Sequence, residues 1–423
     1  MKLTKLLSAF VAMSLFLTAC GGAAEARVAR SNERRVTNPT VAEDDLHTLV
    51  DGNNTFALDL YQSLPRDGNL VYSPFSISLA LAMTRAGARG ETESQMANTL
   101  HFDLPQDRLH PAFNALDLAL EKSAKPEDKD QEPLQLNIAN AVWAEQTFSF
   151  KQEFLDTIAR NYGAGINLAD FINNYEPTRK DINNWVSKET NDKIKDLLSE
   201  GSLNSDTRMV LVNAIYFKAD WLDQFDKDST SDVPFHLLDG TTVDVPLMHQ
   251  GMNIPYLKGD GYQAVELAYA GNTAAMDIIV PDEGNFEVFD SALNIGALNE
   301  IFGSMQPSSV QFGLPKFTFT SDFGLSGQLE SMGMKDAFDP SLADFSGMTG
   351  DKDLFISNVV HKAFIAVDED GTEAAAATGV IMGVTSAPAF EINLVVDRPF
   401  IYVIRDLQNG QILFMGRVMN PAQ

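Results

Sequence analysis

The spacing of hydrophobic residues divides this chain into a helical first part and a strand-rich second part. In the first part, apolar residues recur every three or four positions, which is typical of amphipathic helices. The segment at residues 77–86 is apolar almost all round, which indicates a buried helix. The pattern predicts helices at residues 55–64, 77–86, 91–100, 109–121, 151–161 and 181–199, a short strand and turn at 69–76, and a strand at 134–143.

From residue 209 onward the pattern changes to strands. Residues 209–217 form a continuous apolar run, which indicates a strand buried on both faces. The segment at 399–418 is predicted to be a hairpin around Asn409-Gly410, a pair that favours a two-residue type I′ turn. Further strands are predicted at 262–267, 275–280, 310–318 and 354–367, and a helix at 325–334. Helices early and strands late indicate an α+β fold with large antiparallel or mixed sheets.

The segment at residues 368–400 combines features of a loop and of a strand. Between residues 372 and 385, one face of an extended chain carries no charge and the other carries only Glu373. The run lacks proline, so each residue can donate to a sheet ladder, yet it is rich in alanine and glycine, which are poor strand formers. The uncharged face consists of Thr372, Ala374, Ala376, Thr378, Val380, Met382 and Val384. We therefore predict a loop that is able to become a strand.

The N-terminus has the pattern of an export signal. A short cationic region is followed by an apolar run at residues 6–17 and by Thr18-Ala19-Cys20, which predicts a signal peptide over residues 1–19. Residues 17–20 resemble a bacterial lipobox, which implies cleavage before Cys20 and lipidation of Cys20. Ordinary secretion with an incidental cysteine is the alternative. Cys20 is the only cysteine in the chain, so no internal disulfide can form.

The remaining chain is predicted to hold a tether and one domain. Residues 20–45 contain the lipidated cysteine, glycines, few large apolar residues and charges of both signs, which is typical of a flexible tether. Its arginines either lie on anionic lipid headgroups or belong to a solvated linker. No linker-like stretch divides residues 46–423, which we interpret as a single domain. The net charge of −27 argues against nucleic acid as a partner.

Sequence motifs for catalysis are mostly absent. The six histidines show no metal-binding spacing, and we predict neither a metal nor a cofactor. Residues 259–264 match a dinucleotide-binding string, but the residues that follow alternate like a strand, whereas that site needs a helix. Ser73, Ser76 and His361 are compatible with a hydrolase, but we interpret them as a hydrogen-bonded structural cluster.

Residues 369–378 resemble the hinge of the inhibitory serpins. The similarity continues through the folded part of the chain. Residues 69–77 are similar to the family's first sheet-B strand entering its second helix, and residues 211–221 to the central strand of sheet A. Residues 358–363 are similar to the neighbouring strand, and residues 414–418 with Asn420-Pro421 to the closing signature of the family.

This resemblance implies a serpin fold with about nine helices around three β-sheets and an exposed reactive-centre loop. It implies a polar cluster beneath sheet A, called the shutter, at Ser73, Ser76, Asn213 and His361. Trp221 would lie at the breach, where the sheet opens, and Lys316 would pair with Glu369 there. The implied hinge residues are Glu369, Gly371, Thr372, Ala374, Ala375, Ala376, Ala377 and Thr378.

The resemblance also implies a function that is not enzymatic. Inhibitory serpins are cleaved as substrates, trap the protease as an acyl-enzyme, and insert the cut loop into sheet A. The expected partner is a serine protease in a covalent complex, and cysteine proteases are a further candidate class. We expect a monomer that contacts the membrane only through its lipid anchor. No heparin-like cofactor is expected, because residues 109–121 hold no basic residue except His110.

Counting from the hinge glycine, as the family implies, places the reactive bond at Thr385-Ser386. A threonine at this position suits a small apolar pocket, so elastase-like or subtilisin-like proteases are the expected targets. The bonds Val384-Thr385 and Met382-Gly383 are alternatives, the latter for chymotrypsin-like enzymes. A non-inhibitory binding or carrier lipoprotein on the same fold is the alternative function.

Overall fold

The computed structural model of the protein describes residues 27–123, 134–372 and 390–423. Within these ranges the helices are α1 Glu43–Ser63, α2 Pro74–Arg85, α3 Gly90–Thr99, α4 Gln106–Ser123, α5 Gln152–Tyr162, α6 Phe171–Glu189, α7 Phe286–Ala292, α8 Ile295–Ser304 and α9 Ser326–Ser331. The strands are β1 Arg27–Ala29, β2 Leu70–Tyr72, β3 Gln135–Glu145, β4 Ile166–Ala169, β5 Met209–Asp220, β6 Ser231–His236, β7 Thr242–Lys258, β8 Tyr262–Ala268, β9 Ala274–Pro281, β10 Gln306–Pro315, β11 Phe317–Gly324, β12 Asn358–Val367, β13 Gly371–Thr372, β14 Ile392–Val395, β15 Phe400–Asp406 and β16 Ile412–Val418.

The α+β class is confirmed. Every helix and strand that the hydrophobic spacing predicts overlaps one in the structure. The spacing misses β1, β4, β6, β7, β14, α7 and α8. Several of these are short, and both β6 and β7 contain prolines, which weaken a strand pattern.

Seven strands form sheet A, in the order β1-β4-β3-β5-β13-β12-β11. Strand β5 lies near its centre, and its first nine residues are buried, as the continuous apolar run predicts. Strands β5 and β12 are parallel and pair directly, from Val210 with Asn358 to Tyr216 with Phe364. Beyond that point β13 lies between them.

Nine strands form the second sheet, which we call sheet B. The 17-residue strand β7 pairs with β6 and β10 along most of its length and with β8 at its end. It therefore joins two parts, one with β6, β10 and β14 and one with β8, β9, β15, β16 and β2, into one hydrogen-bonded sheet. The second and third sheets implied by the family resemblance correspond to these two parts.

Helix α2 lies between the two sheets, where it contacts β3, β5 and β16. All of its residues are buried, as the apolar pattern predicts. It begins at Pro74, before the predicted start at residue 77, because Ser73 caps it by accepting a hydrogen bond from the Ser76 N–H. Proline at the first helical position loses no helical hydrogen bond.

Two local predictions are wrong. The helix predicted at residues 181–199 ends at Glu189, because Asn191 and Asp192 have φ values of 50° and 62°, in the left-handed region that asparagine and aspartate tolerate. The hairpin between β15 and β16 is not closed by a two-residue type I′ turn. That turn needs positive φ at both central residues, and only Gly410 has it. The Asp406 carboxylate instead accepts hydrogen bonds from the N–H groups of Gln408 and Asn409, which lengthens the loop.

The predicted flexible tether at residues 20–45 is wrong for the part that the structure describes. Strand β1 pairs with β4 at the edge of sheet A, and α1 begins at Glu43. Arg35 donates to Asp117 and Glu121 on α4. Arginine forms such multidentate pairs with carboxylates, which offset the entropy of fixing the segment. We call residues 27–36 the N-terminal strap.

Among the described helices, none combines the length and the apolar character needed to cross a membrane.

Candidate functional site

The candidate site lies where strands β5 and β12 separate. Here β13 pairs antiparallel with both neighbours, Thr372 with Val367 on one side and with Ala219 on the other. Gly371 pairs with Asp220. Gly371 and Thr372, where the predicted strand-forming run begins, therefore already occupy the first positions of a strand between β5 and β12 in sheet A.

Gly371 is required by the space between these strands. A Cβ atom on it would lie 2.2 Å from the carbonyl oxygen of Ala219 and 2.7 Å from the Cα of Asp220. Thr372 is buried, and its hydroxyl hydrogen-bonds the hydroxyl of Tyr269 at 2.7 Å. The side chain of Thr372 thus points inward, toward sheet B.

Trp221 holds the turn that precedes β13. Its indole Nε1 donates to the carbonyl of Asp368 at 3.0 Å, and its ring stacks on Tyr269 at a centroid distance of 4.7 Å. The Asp368 carboxylate accepts from the N–H groups of Asp370 and Gly371, at 3.0 and 3.3 Å. Burial raises the pKa of Asp368.

Glu369 is fixed by two side chains. Lys316 Nζ lies 2.6 Å from its Oε2, and the Thr230 hydroxyl donates to its Oε1 at 2.7 Å. Burial opposes ionisation, but the hydrogen bonds from Lys316 and Thr230 outweigh it and hold the pKa of Glu369 below its ordinary value. Lys316 reaches this position because the chain crosses from β10 in sheet B to β11 in sheet A at that residue.

A second ion pair was not predictable from the sequence. Lys227 Nζ lies 2.7 Å from Asp370 Oδ2, and Gln224 donates to the Asp370 carbonyl at 3.3 Å. The hydrogen bond with Asp370 raises the pKa of Lys227. Lys227 lies in a short 3₁₀ turn, far from the hinge in sequence, and no local pattern marks it.

Beneath the β5–β12 contact, the predicted shutter residues come together with one additional residue, Asn140. Asn140, Asn213 and His361 face one another in register on β3, β5 and β12. His361 Nδ1 bonds Asn213 Oδ1, and Asn213 Nδ2 donates to Asn140 Oδ1 and to Ser76 Oγ, the latter at 2.6 Å. The Ser73 N–H donates to His361 Nε2 at 3.3 Å. We call these residues, Ser73, Ser76, Asn140, Asn213 and His361, the shutter cluster.

His361 is fully buried, and this desolvation lowers its pKa to about 3. Because Nε2 accepts from the Ser73 backbone, Nδ1 carries the proton of the neutral ring. Its hydrogen-bond partners among the described residues are an amide and a backbone N–H. They are neither a carboxylate nor a serine hydroxyl, so the cluster does not have the geometry of a Ser-His-Asp triad.

Comparison with known proteins decides the family. Residues 51–421 match the model of the family described as Serpin (serine protease inhibitor). An uncharacterized serpin-like protein of Thermococcus kodakarensis is 41% identical over 88% of this chain and 86% of its own length. A leukocyte elastase inhibitor of Xenopus laevis is 39% identical over 86% of this chain and 97% of its own length.

The chain belongs to the serpin family.

The structural comparison agrees with this family. The thermophilic serpin tengpin in its native state matches with a TM-score of 0.81 and 31% identity, over 93% of this chain and 97% of that one. In this chain, five of the predicted residues lie together where β5 and β12 separate: Trp221, Lys316, Glu369, Gly371 and Thr372. The shutter cluster lies under the same two strands.

Other predicted positions lie outside the described residues of this serpin. They are Cys20, the hinge residues Ala374, Ala375, Ala376, Ala377 and Thr378, and the reactive-bond candidates Met382, Val384, Thr385 and Ser386.

The described residues form neither a metal site nor a dinucleotide site. The described ranges contain no group of three acidic, histidine or cysteine side chains placed to hold a metal ion. Of the dinucleotide-like string, residues 259–261 form the turn between β7 and β8, with Gly261 at a φ of 80°, and residues 262–264 begin β8. Because β8 follows this turn directly, there is no helix N-terminus there to bind a phosphate.

Proposed function

We propose that this serpin is an irreversible suicide-substrate inhibitor of serine proteases. The observation that carries the proposal is β13, since Gly371 and Thr372 pair with both β5 and β12 at the head of a strand position. Because these two residues are already paired, the residues that follow them have a defined register for pairing with β5 and β12. The resemblance of residues 369–378 to inhibitory hinges supports the same conclusion.

The proposed chemistry begins as ordinary proteolysis. The protease serine attacks the carbonyl carbon of Thr385, and the Ser386 nitrogen leaves with a proton from the protease's own histidine. An ester between Thr385 and the protease remains. Insertion of the cut loop carries the tethered protease away and distorts its active site before water attacks this ester. A cysteine protease would form the corresponding thioester, and it is the second proposed target class.

The length of the loop fits the proposed insertion. Thirteen residues lie beyond Thr372 up to Thr385, and they span about 43 Å when extended. Strand β5 has 12 residues, or about 40 Å. The face that continues inward from Thr372 carries no charge, so its burial incurs no charge desolvation.

Insertion requires the β5–β12 contact to open. The direct pairs from Val210–Asn358 to Tyr216–Phe364 separate, and so does the hydrogen bond between Asn213 and His361. An inserted strand offers new ladder bonds to both neighbours, each worth about 1 kcal/mol net. Two new ladders replace the one ladder between β5 and β12, and this gain outweighs the few side-chain bonds that are lost.

The expected targets are elastase-like or subtilisin-like proteases. Threonine at position 385 suits a small apolar pocket, and residues 372–397 contain no lysine or arginine. Several relatives at 36–39% identity are named leukocyte elastase inhibitor. Cleavage at Val384-Thr385 suits the same proteases, and cleavage at Met382-Gly383 suits a chymotrypsin-like enzyme.

The deciding experiment is incubation with a panel of serine proteases, followed by denaturing gel electrophoresis. We expect an SDS-stable band at the summed mass with an elastase-like or subtilisin-like enzyme, and mass spectrometry of the released C-terminal peptide identifies the cut bond. Cleaved protein without that band, for every protease in the panel, would show that the protein is a substrate and not an inhibitor.

A non-inhibitory binding function is the second candidate. Thyroxine-binding globulin in complex with thyroxine matches with a TM-score of 0.78 at 31% identity. The two candidates differ after the loop is nicked. Insertion should raise the thermal midpoint of an inhibitor markedly, whereas an unchanged midpoint favours the binding function.

We further propose that the protein is exported and anchored as a bacterial lipoprotein. The support is the signal-like segment at residues 1–19 with the lipobox-like residues 17–20. Acylation at Cys20 by several chains makes anchoring durable, at about 0.8 kcal/mol per buried methylene.

A further inference from the structure

We propose that the N-terminal strap is a membrane-facing surface that orients the domain with its reactive loop away from the bilayer. This inference rests on the proposed acylation of Cys20. The proposed partner of residues 27–36 is an anionic lipid surface.

The strap is part of the folded domain. Residues 27–29 pair antiparallel with β4, and the Val36 N–H donates to the Arg160 carbonyl on α5 at 2.9 Å. Arg35 donates to Asn114 and Glu121 on α4, both at 2.8 Å. Because backbone and side-chain bonds hold it to β4, α4 and α5, the strap moves with the domain.

The connection between the anchor and the strap is short. Only six residues separate Cys20 from Arg27. Even fully extended, this segment reaches about 25 Å. An acylated Cys20 in the bilayer therefore keeps the β1 edge of sheet A within that distance of the headgroups. A flexible tether that reached to residue 45 would allow the domain to lie much farther away.

The charge of the strap fits an anionic surface. Arg27, Arg30 and Arg34 are exposed, and the described contacts give none of them an ion pair, in a chain with a net charge of −27. Nearby carboxylates are already engaged: Glu33 with Arg160, Asp156 with Ser31 and Gln152, and Asp117 and Glu121 with Arg35. Each arginine near an anionic membrane adds about fivefold to the affinity.

Strand registers place Arg27, at the start of the strap, and the loop exit at opposite ends of sheet A. Arg27 on β1 pairs with Leu168 on β4, and Leu168 pairs with Ala144 on β3. Ala144 in turn pairs with Met209 on β5, so Arg27 is level with Met209. Thr372 is level with Ala219 on the same strand. These ten residues along β5 correspond to about 33 Å. A membrane held at Arg27 therefore leaves the reactive loop at the far end of sheet A, open to soluble proteases.

Energy transfer to a lipid-borne acceptor tests this orientation in the full mature acylated chain. Acylation consumes the thiol of Cys20, so an introduced cysteine is the only free thiol. A donor fluorophore is placed at Asn32→Cys on the strap or at Asp223→Cys beside the loop exit, both exposed positions. The vesicles are phosphatidylcholine with or without phosphatidylglycerol.

We expect several-fold higher transfer from position 32 than from position 223 on the anionic vesicles. Combined Arg27→Gln, Arg30→Gln and Arg34→Gln should reduce transfer at position 32 to its value on neutral vesicles. The matched control replaces three exposed lysines elsewhere, Lys188, Lys258 and Lys335, with glutamine, and should leave transfer unchanged.

Equal transfer from both positions, or an unchanged signal in the arginine variant, would overturn the membrane-facing strap while leaving the anchor intact. The anchor is tested separately in the chain without an introduced cysteine. If a maleimide labels Cys20 there under denaturing conditions, its thiol is free, and both the anchoring proposal and this inference are overturned.

Discussion

The indole N–H of Trp221 and the carbonyl of Asp368 form a 3.0 Å hydrogen bond at the head of sheet A. The backbone N–H of Trp221 also donates to the carbonyl of Asp370 at 2.9 Å. One residue at the end of β5 thus binds both sides of the turn that leads into β13. The turn is thereby fixed in the native protein.

Removing that indole bond should destabilise the native protein modestly. Trp221→Phe keeps an aromatic ring against Tyr269 but loses the donor to Asp368, so the free energy of unfolding should fall by about 1 kcal/mol. Urea denaturation measures this change. Trp185→Phe, which alters a ring contact on α6 away from the hinge, is the control. An unchanged midpoint in Trp221→Phe would show that the bond contributes nothing.

A methyl group at Gly371 should block β13. In Gly371→Ala the new Cβ meets the Ala219 carbonyl at 2.2 Å, so the two strands separate or the hinge leaves the sheet. We expect a loss of about 1–3 kcal/mol in unfolding free energy and more turnover per complex formed. Gly327→Ala, in a helix with open space around it, is the control and should be neutral or slightly stabilising. Normal inhibition by Gly371→Ala would contradict the proposed route of entry.

The buried His361 should make stability depend on pH in the mildly acidic range. Its pKa is about 3 in the folded protein, while an unfolded histidine has a pKa of about 6.5. Between these values the unfolded state holds one more proton, so stability falls as the pH decreases, by about 1.4 kcal/mol per pH unit. His361→Gln should remove this contribution to the slope.

Urea denaturation between pH 4 and pH 6.5 provides the measurement. His47→Gln, at an exposed position on α1, is the control. His110 is also buried with a pKa of about 3, so His110→Gln should remove a second contribution of the same sign. Parallel slopes for the wild-type and His361→Gln proteins would rule out a buried neutral histidine at position 361.

Glu369 should produce an effect at lower pH. Its folded pKa lies below the ordinary value, so its ionised form stabilises the native state, and this contribution is lost as the pH falls through the folded pKa. The stability difference between the wild type and Glu369→Gln should therefore be present at pH 7 and shrink below about pH 4. A difference that stays constant down to pH 3 would mean that Lys316 and Thr230 do not act through the carboxylate.

The orientation of Thr372 predicts which hinge positions tolerate a charge. Thr372 points inward, so alternation places Ala374 inward and Ala375 outward in an inserted strand. Burying a charge costs several kcal/mol, so Ala374→Arg should turn an inhibitor into a substrate. Ala375→Arg is the matched control and should still form the SDS-stable complex. Equal complex formation by both variants would refute the assigned face.

Local patterns in the sequence were sufficient for most elements of the fold. The run at 209–217 identified β5, and the apolar segment at 77–86 identified α2, because burial on all sides requires apolar residues throughout. The failures are equally local. Asn191 and Asp192 end α6 early, and the Asp406 carboxylate lengthens the hairpin loop, because side-chain hydrogen bonds and left-handed backbone override hydrophobic spacing.

By itself, the sequence predicts that residues 372–385 can be either loop or strand, because an uncharged face and small side chains are properties of neighbours along the chain. Only the tertiary structure decided that Gly371 and Thr372, where this segment begins, pair with β5 and β12. The pairs Lys227–Asp370 and Asn140–Asn213, and the docking of the strap on α4, join residues more than seventy positions apart. Their meeting depends on how the sheets and helices pack, which no local spacing encodes.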